Sequence, residues 1–132
     1  MRVVYYELYE VPPRWQILKI ETDDGTIGWG EHTLQASDMR AGQSSAGAVR
    51  DFMEEFILDA DPLEIERRWQ EMFRRHYRGG PVFMTAISAI DMALWDLKGK
   101  HYGLPVYELF GGKARDRVRL YQIGRASCRE RV

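Results

Sequence analysis

The chain of 132 residues has one cysteine, three histidines, five prolines and almost no net charge. A lone cysteine closes no disulfide within the chain. A balance of 19 basic against 20 acidic residues gives −1 and argues against a nucleic-acid surface, which wants a clustered basic excess. No apolar run approaches the roughly 18 residues that suggest a membrane span. The opening residues 1–7 carry charge in a strand pattern where a signal peptide would have an apolar core. These absences predict a cytoplasmic protein. Hydrophobic content of 45% and charged content of 30% describe an ordinary globular chain, long enough for one domain with its own core.

The stretch 86–111 organises the rest. Phe83, Ile87, Ile90, Leu94 and Leu97 recur at three- and four-residue steps, which puts an apolar stripe on one helix face. Ala86, Ala89 and Ala93 lie among them, and side chains that small let another backbone approach, so this helix is expected to be central. Asp91 and Asp96 interrupt the run, and Asp96 has Lys100 four residues on as a helix pair. Gly99 and Gly103 loosen the end, and Leu104-Pro105 opens a short apolar segment closing on Gly111-Gly112.

Upstream, residues 3–11 read as a strand with Val3, Tyr5, Glu7 and Tyr9 facing one way and Val4, Tyr6 and Leu8 the other. Pro12-Pro13 ends it, and a second strand spans 16–22. Asp23-Asp24-Gly25-Thr26 is a hairpin turn, and the third strand, 27–31, sets Gly28 and Gly30 on one flat face. Residues 32–45 show no period and read as a loop. A helix follows with Val49, Phe52, Met53 and Phe56 as its buried stripe. Asp61 as N-cap, Pro62 at the first position and Glu64 at the third predict the start of the next helix, with Ile65, Trp69, Met72 and Phe73 on its core face. The expected fold is α+β: a three-stranded antiparallel meander followed by a three- to four-helix bundle.

Arg117 to Tyr121 looks like the opening of another strand. The run from Ile123 to Val132, which holds Cys128, has no apolar periodicity. It is what the frame ATC GGA AGA GCG TCG TGT AGG GAA AGA GTG encodes, the reverse complement of part of a common short-read sequencing adapter. The expectation is therefore three segments: a domain over 1–112, the start of a second, cut-off domain over 113–121, and a non-native tail over 122–132. Without Arg125, Arg129, Arg131 and Glu130 the balance becomes 16 basic against 19 acidic, or −3, and no cysteine remains.

The spacing of Ala86, Ser88, Ala89, Ile90, Asp91, Ala93, Leu94, Asp96, Leu97, Gly99, Lys100, Pro105, Val106, Leu109, Phe110 and Gly111 resembles the mandelate racemase/muconate lactonising branch of the enolase superfamily. The resemblance implies an N-terminal capping domain that leads into a catalytic (β/α) barrel, here missing by truncation. Pro12-Pro13-Arg14-Trp15, Gly28-Trp29-Gly30-Glu31 and Tyr77-Arg78-Gly79-Gly80-Pro81 look most like the galactonate dehydratase family within it. That implies a Mg²⁺-dependent lyase that removes water from a sugar acid to give a 2-keto-3-deoxy acid, homo-oligomeric at full length. Its metal carboxylates and Lys or His bases would lie on the absent barrel, so no catalytic or metal residue is assigned here. The fragment alone is expected to be inactive and to present an apolar patch meant for the barrel.

In such a family the capping domain supplies specificity from the loop after its first strand and from one before the central helix. This places Arg14, Trp15, Tyr77 and Arg78 as substrate-binding candidates: rigid prolines and flexible glycines flank cationic and aromatic side chains suited to a polyhydroxylated anion. Alternatively, Trp15 is hairpin core and Arg14 a solvated surface residue. Asp61 is better read as a cap than as a metal ligand, and Glu31-His32 points its two side chains to opposite sides. His76 and His101 sit at helix ends, facing orphan carbonyls. A racemase or cycloisomerase of the same superfamily is the near alternative, and a stand-alone α+β binding module the distant one.

Overall fold

The computed structural model describes residues 1–11, 15–32, 39–77 and 79–118. Three strands, β1 (Val3–Val11), β2 (Trp15–Thr22) and β3 (Ile27–Glu31), form an antiparallel sheet in that spatial order. Four helices follow: α1 (Met39–Phe52), α2 (Ile65–Arg75), α3 (Pro81–Tyr102) and the single turn α4 (Val106–Leu109). The expected α+β meander and bundle are present, with α3 at the centre.

β3 lies on α3 because neither has side chains in the way. A Cβ on Gly30 would run into the Ala89 carbonyl, and one on Gly28 would meet the Ala93 carbonyl and come within 2.6 Å of Leu97 Cγ. Glycines alternating on a strand and alanines at helical spacing thus make one flat joint. The outer edge of β3 is then closed by α3. Asp96 accepts the Trp29 N–H (2.9 Å), Lys100 donates to the Ile27 carbonyl (2.6 Å), and the two side chains pair at 2.7 Å. The predicted helix pair therefore also occupies edge groups that would otherwise invite another strand.

β1 departs from simple alternation. The ladder shifts register between Val3 and Tyr5, so Val3 is fully buried while Val4 and Tyr5 are half exposed. Val3 thus shares the core face with Tyr6 and Leu8, not the face of Tyr5 and Glu7. The start of β1 is clamped by the 59–60 turn, where Val3 N–H donates to the Ala60 carbonyl and Asp59 N–H to the Val3 carbonyl. At the hairpin, Gly25 takes φ +81°. Asp24 accepts from Thr22 Oγ1 and the Thr26 N–H, which holds its carboxyl down at about 2.

Two helix starts differ from expectation. α1 begins at Met39, inside the stretch read as loop. Its buried face is Ser45, Ala46, Ala48, Val49 and Phe52, and small residues on a helix face give little hydrophobic periodicity. α2 begins at Ile65, not after Asp61. Asp61 Oδ1 accepts the Leu63 N–H (2.9 Å) and so closes a turn, while Glu64 pairs with Arg67 and Arg68. Phe73, expected in the core, is 37% exposed and stacks on Trp69 at 5.0 Å.

After α1 a π-helical turn, Met53–Ile57, keeps Met53 and Ile57 buried and ends where Leu58 N–H donates to the Met53 carbonyl. α3 ends in a Schellman motif: Gly103 at φ +66°, with Leu104 N–H on the Gly99 carbonyl (2.8 Å) and Gly103 N–H on that of Lys100. The expected strand at 117–121 lies mostly outside the described residues, and Arg117 and Val118 belong to no regular element. The tail at 122–132 lies wholly outside them.

Candidate functional site

The connections gather at one end of the sheet. Val11 pairs with Trp15 and Ile17 with Glu31, and His32 N–H donates to the Gln16 carbonyl (3.0 Å). The end of β1, the start of β2 and the end of β3 therefore lie side by side. α3 runs antiparallel to β3, since Gly28 faces Ala93 and Gly30 faces Ala89. Its N-terminus at Pro81 thus points to the same end, and the 76–80 connection enters there. Gly79 and Gly80 take φ +63° and +111° to make that entry.

Of the four substrate-binding candidates, Arg14 and Arg78 lie outside the described residues. Trp15 opens β2 and is 47% exposed, so it is not hairpin core, and Tyr77 is 73% exposed. Both belong to connections at the gathered end. His76, expected to be structural, closes α2. Its ring stacks on Phe83 at 3.9 Å and 10°, with Phe52 at 5.3 Å, fixing where the 76–80 connection begins. His101 lies edge-on to Tyr102 at 4.9 Å.

Beneath this end is a polar cluster that the sequence reading passed over. Gln16, Ser45 and His32 are all buried. Ser45 Oγ donates to Gln16 Oε1 (3.3 Å) and lies 3.3 Å from His32 Nδ1. His32 Nε2 is buried with no hydrogen-bond partner among the described residues. Burial, then the charge of Arg50, pushes the imidazole down to about 4, against an opposing pull from Glu31. The ring is neutral at pH 7. Strand parity could have found the cluster: His32 falls in step with Gly28 and Gly30, and Gln16 with Leu18 and Ile20. Glu31 does point the other way, as expected, and is exposed.

An open groove of about 680 Å³ runs between α2 and α3, lined in part by Glu66, Trp69, Asp91, Trp95 and Lys98. Burial and then the Glu66 carboxylate raise the Asp91 carboxyl, offset by a hydrogen bond from Trp95. This groove lies along the middle of α3, away from its N-terminus. Among the described residues no three His, Cys, Asp or Glu side chains stand close enough to hold a metal ion. No described helix is long and apolar enough to cross a membrane.

A glycine-faced sheet locked to a central helix, with its connections gathered at one end, defines a loop-bearing α+β domain of the enolase N-terminal kind. The chain belongs to the mandelate racemase / muconate lactonizing enzyme N-terminal domain family, whose pattern matches residues 13–111. The D-galactonate dehydratase of Verminephrobacter eiseniae is 49% identical over 122 residues, covering 92% of this chain and 31% of that protein. That of Ralstonia pickettii is 46% identical over the same shares. A solved enolase-superfamily member from Salmonella Typhimurium superposes with a TM-score of 0.82 at 33% identity, covering 91% of this chain and 31% of its own. The chain spans about a third of the length of the curated relatives it matches.

Proposed function

We propose that this chain is the capping, substrate-specificity part of a Mg²⁺-dependent acid-sugar dehydratase that converts a galactonate-like sugar acid into its 2-keto-3-deoxy product. The observation that carries the reading is the gathered end, where Trp15 and Tyr77 are both exposed at one edge of a rigid joint. It is supported by the D-galactonate dehydratases, matched at 44% to 49% identity through 92% of the chain. Arg14 and Arg78 supply cationic donors to a carboxylate or hydroxyls, and Trp15 and Tyr77 pack against the carbon chain. Removal of the α proton and departure of the β hydroxyl need a base and an acid. Those groups, and the carboxylates for Mg²⁺, fall to the part of the enzyme outside this chain.

The domain over 1–112 would dock on that part through its far segment. Tyr102, Leu104, Tyr107 and Phe110 are 46% to 62% exposed within nine residues, an apolar concentration that calls for a cover. The test is to assay the complete enzyme against a panel of sugar acids with Mg²⁺. Formation of a 2-keto-3-deoxy acid from D-galactonate is expected. Racemisation or cycloisomerisation with no dehydration would overturn the reading.

A further inference from the structure

We propose that Gln16, Ser45 and His32 form a positioning unit that ties the start of β2 and the end of β3 to each other and to α1, and so holds Trp15 in register for its ligand. The three side chains come from β2, α1 and the residue that follows β3, and are 8%, 0% and 1% exposed. Their inward neighbours along the strands are Leu18 and Ile20 at no exposure and the glycines of β3. Apolar residues would fill these places with no polar group to satisfy. Burying amide, hydroxyl and imidazole costs stability unless each is bonded, and among the described residues Nε2 of His32 is not. A costly network at the loop-bearing end, absent from the centre of the core, is explained by what it holds.

The bonds are placed for that task. Gln16 follows Trp15 directly, and His32 immediately precedes segment 33–38. The backbone repeats the tie, with the His32 N–H on the Gln16 carbonyl. Ser45 then anchors both to the buried face of α1. The Ser45 hydroxyl stands 3.3 Å from both Gln16 Oε1 and His32 Nδ1 and can serve the ring as donor or acceptor. The charged groups acting on the ring are Arg50 of α1 and Glu31 of β3.

The importance of the unit for catalysis rests on the substrate-facing reading of Arg14 and Trp15, but the unit itself can be tested without substrate. Fluorine NMR of the 5-fluorotryptophan-labelled complete enzyme, with resonances assigned by single Trp→Phe replacements, follows Trp15, Trp69 and Trp95 separately. Ser45→Ala is expected to move or broaden the Trp15 resonance while those of Trp69 and Trp95 stay. Ser45→Thr, which keeps the hydroxyl, is expected to restore it. Ile57→Val, a core change at the opposite end of the sheet, controls for general loosening and should leave Trp15 in place. A Trp15 signal unmoved by Ser45→Ala, or moved equally by Ile57→Val, overturns the proposal. The unaltered protein gives a second reading should Ser45→Ala not fold. Nitrogen-15 shifts of His32 must show a neutral imidazole at about pH 6, and a ring protonated there would refute the buried arrangement. Failure here leaves the sugar-acid assay untouched, and failure of that assay leaves the fluorine result untouched.

Discussion

Lowering the pH from about 7.5 to about 4.5 is expected to cost the fold about 2.5 kcal/mol through His32 alone. In the folded chain its imidazole is held down to about 4, chiefly by burial, whereas an unfolded histidine titrates near 6.5. Between those values the unfolded chain binds a proton that the folded chain refuses, so stability rises with pH across the window. The contribution is whole above pH 6.5, is lost as the pH falls toward 4, and levels off below. Each unit of displacement is worth about 1.4 kcal/mol, which sets a ceiling of about 3.5 kcal/mol. Asp91, raised by burial, works in the opposite direction, because its folded carboxyl takes up a proton more readily. Urea unfolding of the parent and of His32→Leu over this range cancels Asp91 and every other shared group. The parent should lose stability faster by about one proton's worth, or about 1.4 kcal/mol per pH unit near pH 5. Parallel curves would refute the claim that His32 is buried and neutral.

Three further outcomes follow from the packing. Gly30→Ala drives a methyl into the Ala89 carbonyl and is expected to lose about 2 kcal/mol or more in urea unfolding, as overpacking does. Gly103→Ala forces a side chain to φ +66° and should lower stability by about 1 kcal/mol, read as a Tm drop of several degrees. Lys100→Met bares the Ile27 carbonyl on the β3 edge. It should cost under about 1 kcal/mol, as exposed pairs do, while raising concentration-dependent association in sedimentation.

What the sequence disclosed depended on whether a signal was carried by large residues, by small ones or by turns. The joint between β3 and α3 was legible because Gly28 and Gly30 alternate and Ala89 and Ala93 fall at helical spacing, so the same absence of side chains appears on both partners. The start of α1 was not, since a buried face made partly of serine and alanine hides its period. Asp61-Pro62 has the composition of a helix start, yet the Asp61 carboxylate closes a local turn first. The register shift between Val3 and Tyr5 leaves no compositional trace, which is why strict alternation misplaced Val3. Arg14, Trp15, Tyr77 and Arg78 came from resemblance to a family, and the gathering of their connections at one end is a fact of topology that spacing alone does not give. The His32 cluster needed strand parity applied to polar residues as well as to apolar ones.

The account stands most directly on where a sugar acid touches this domain. Hydrogen exchange of the complete enzyme with and without D-galactonate and Mg²⁺ would read it amide by amide. Protection is predicted at residues 12–17 and 76–80, with little change along the α2–α3 groove. Protection confined to that groove, or to no part of this chain, would contradict the capping role assigned to it.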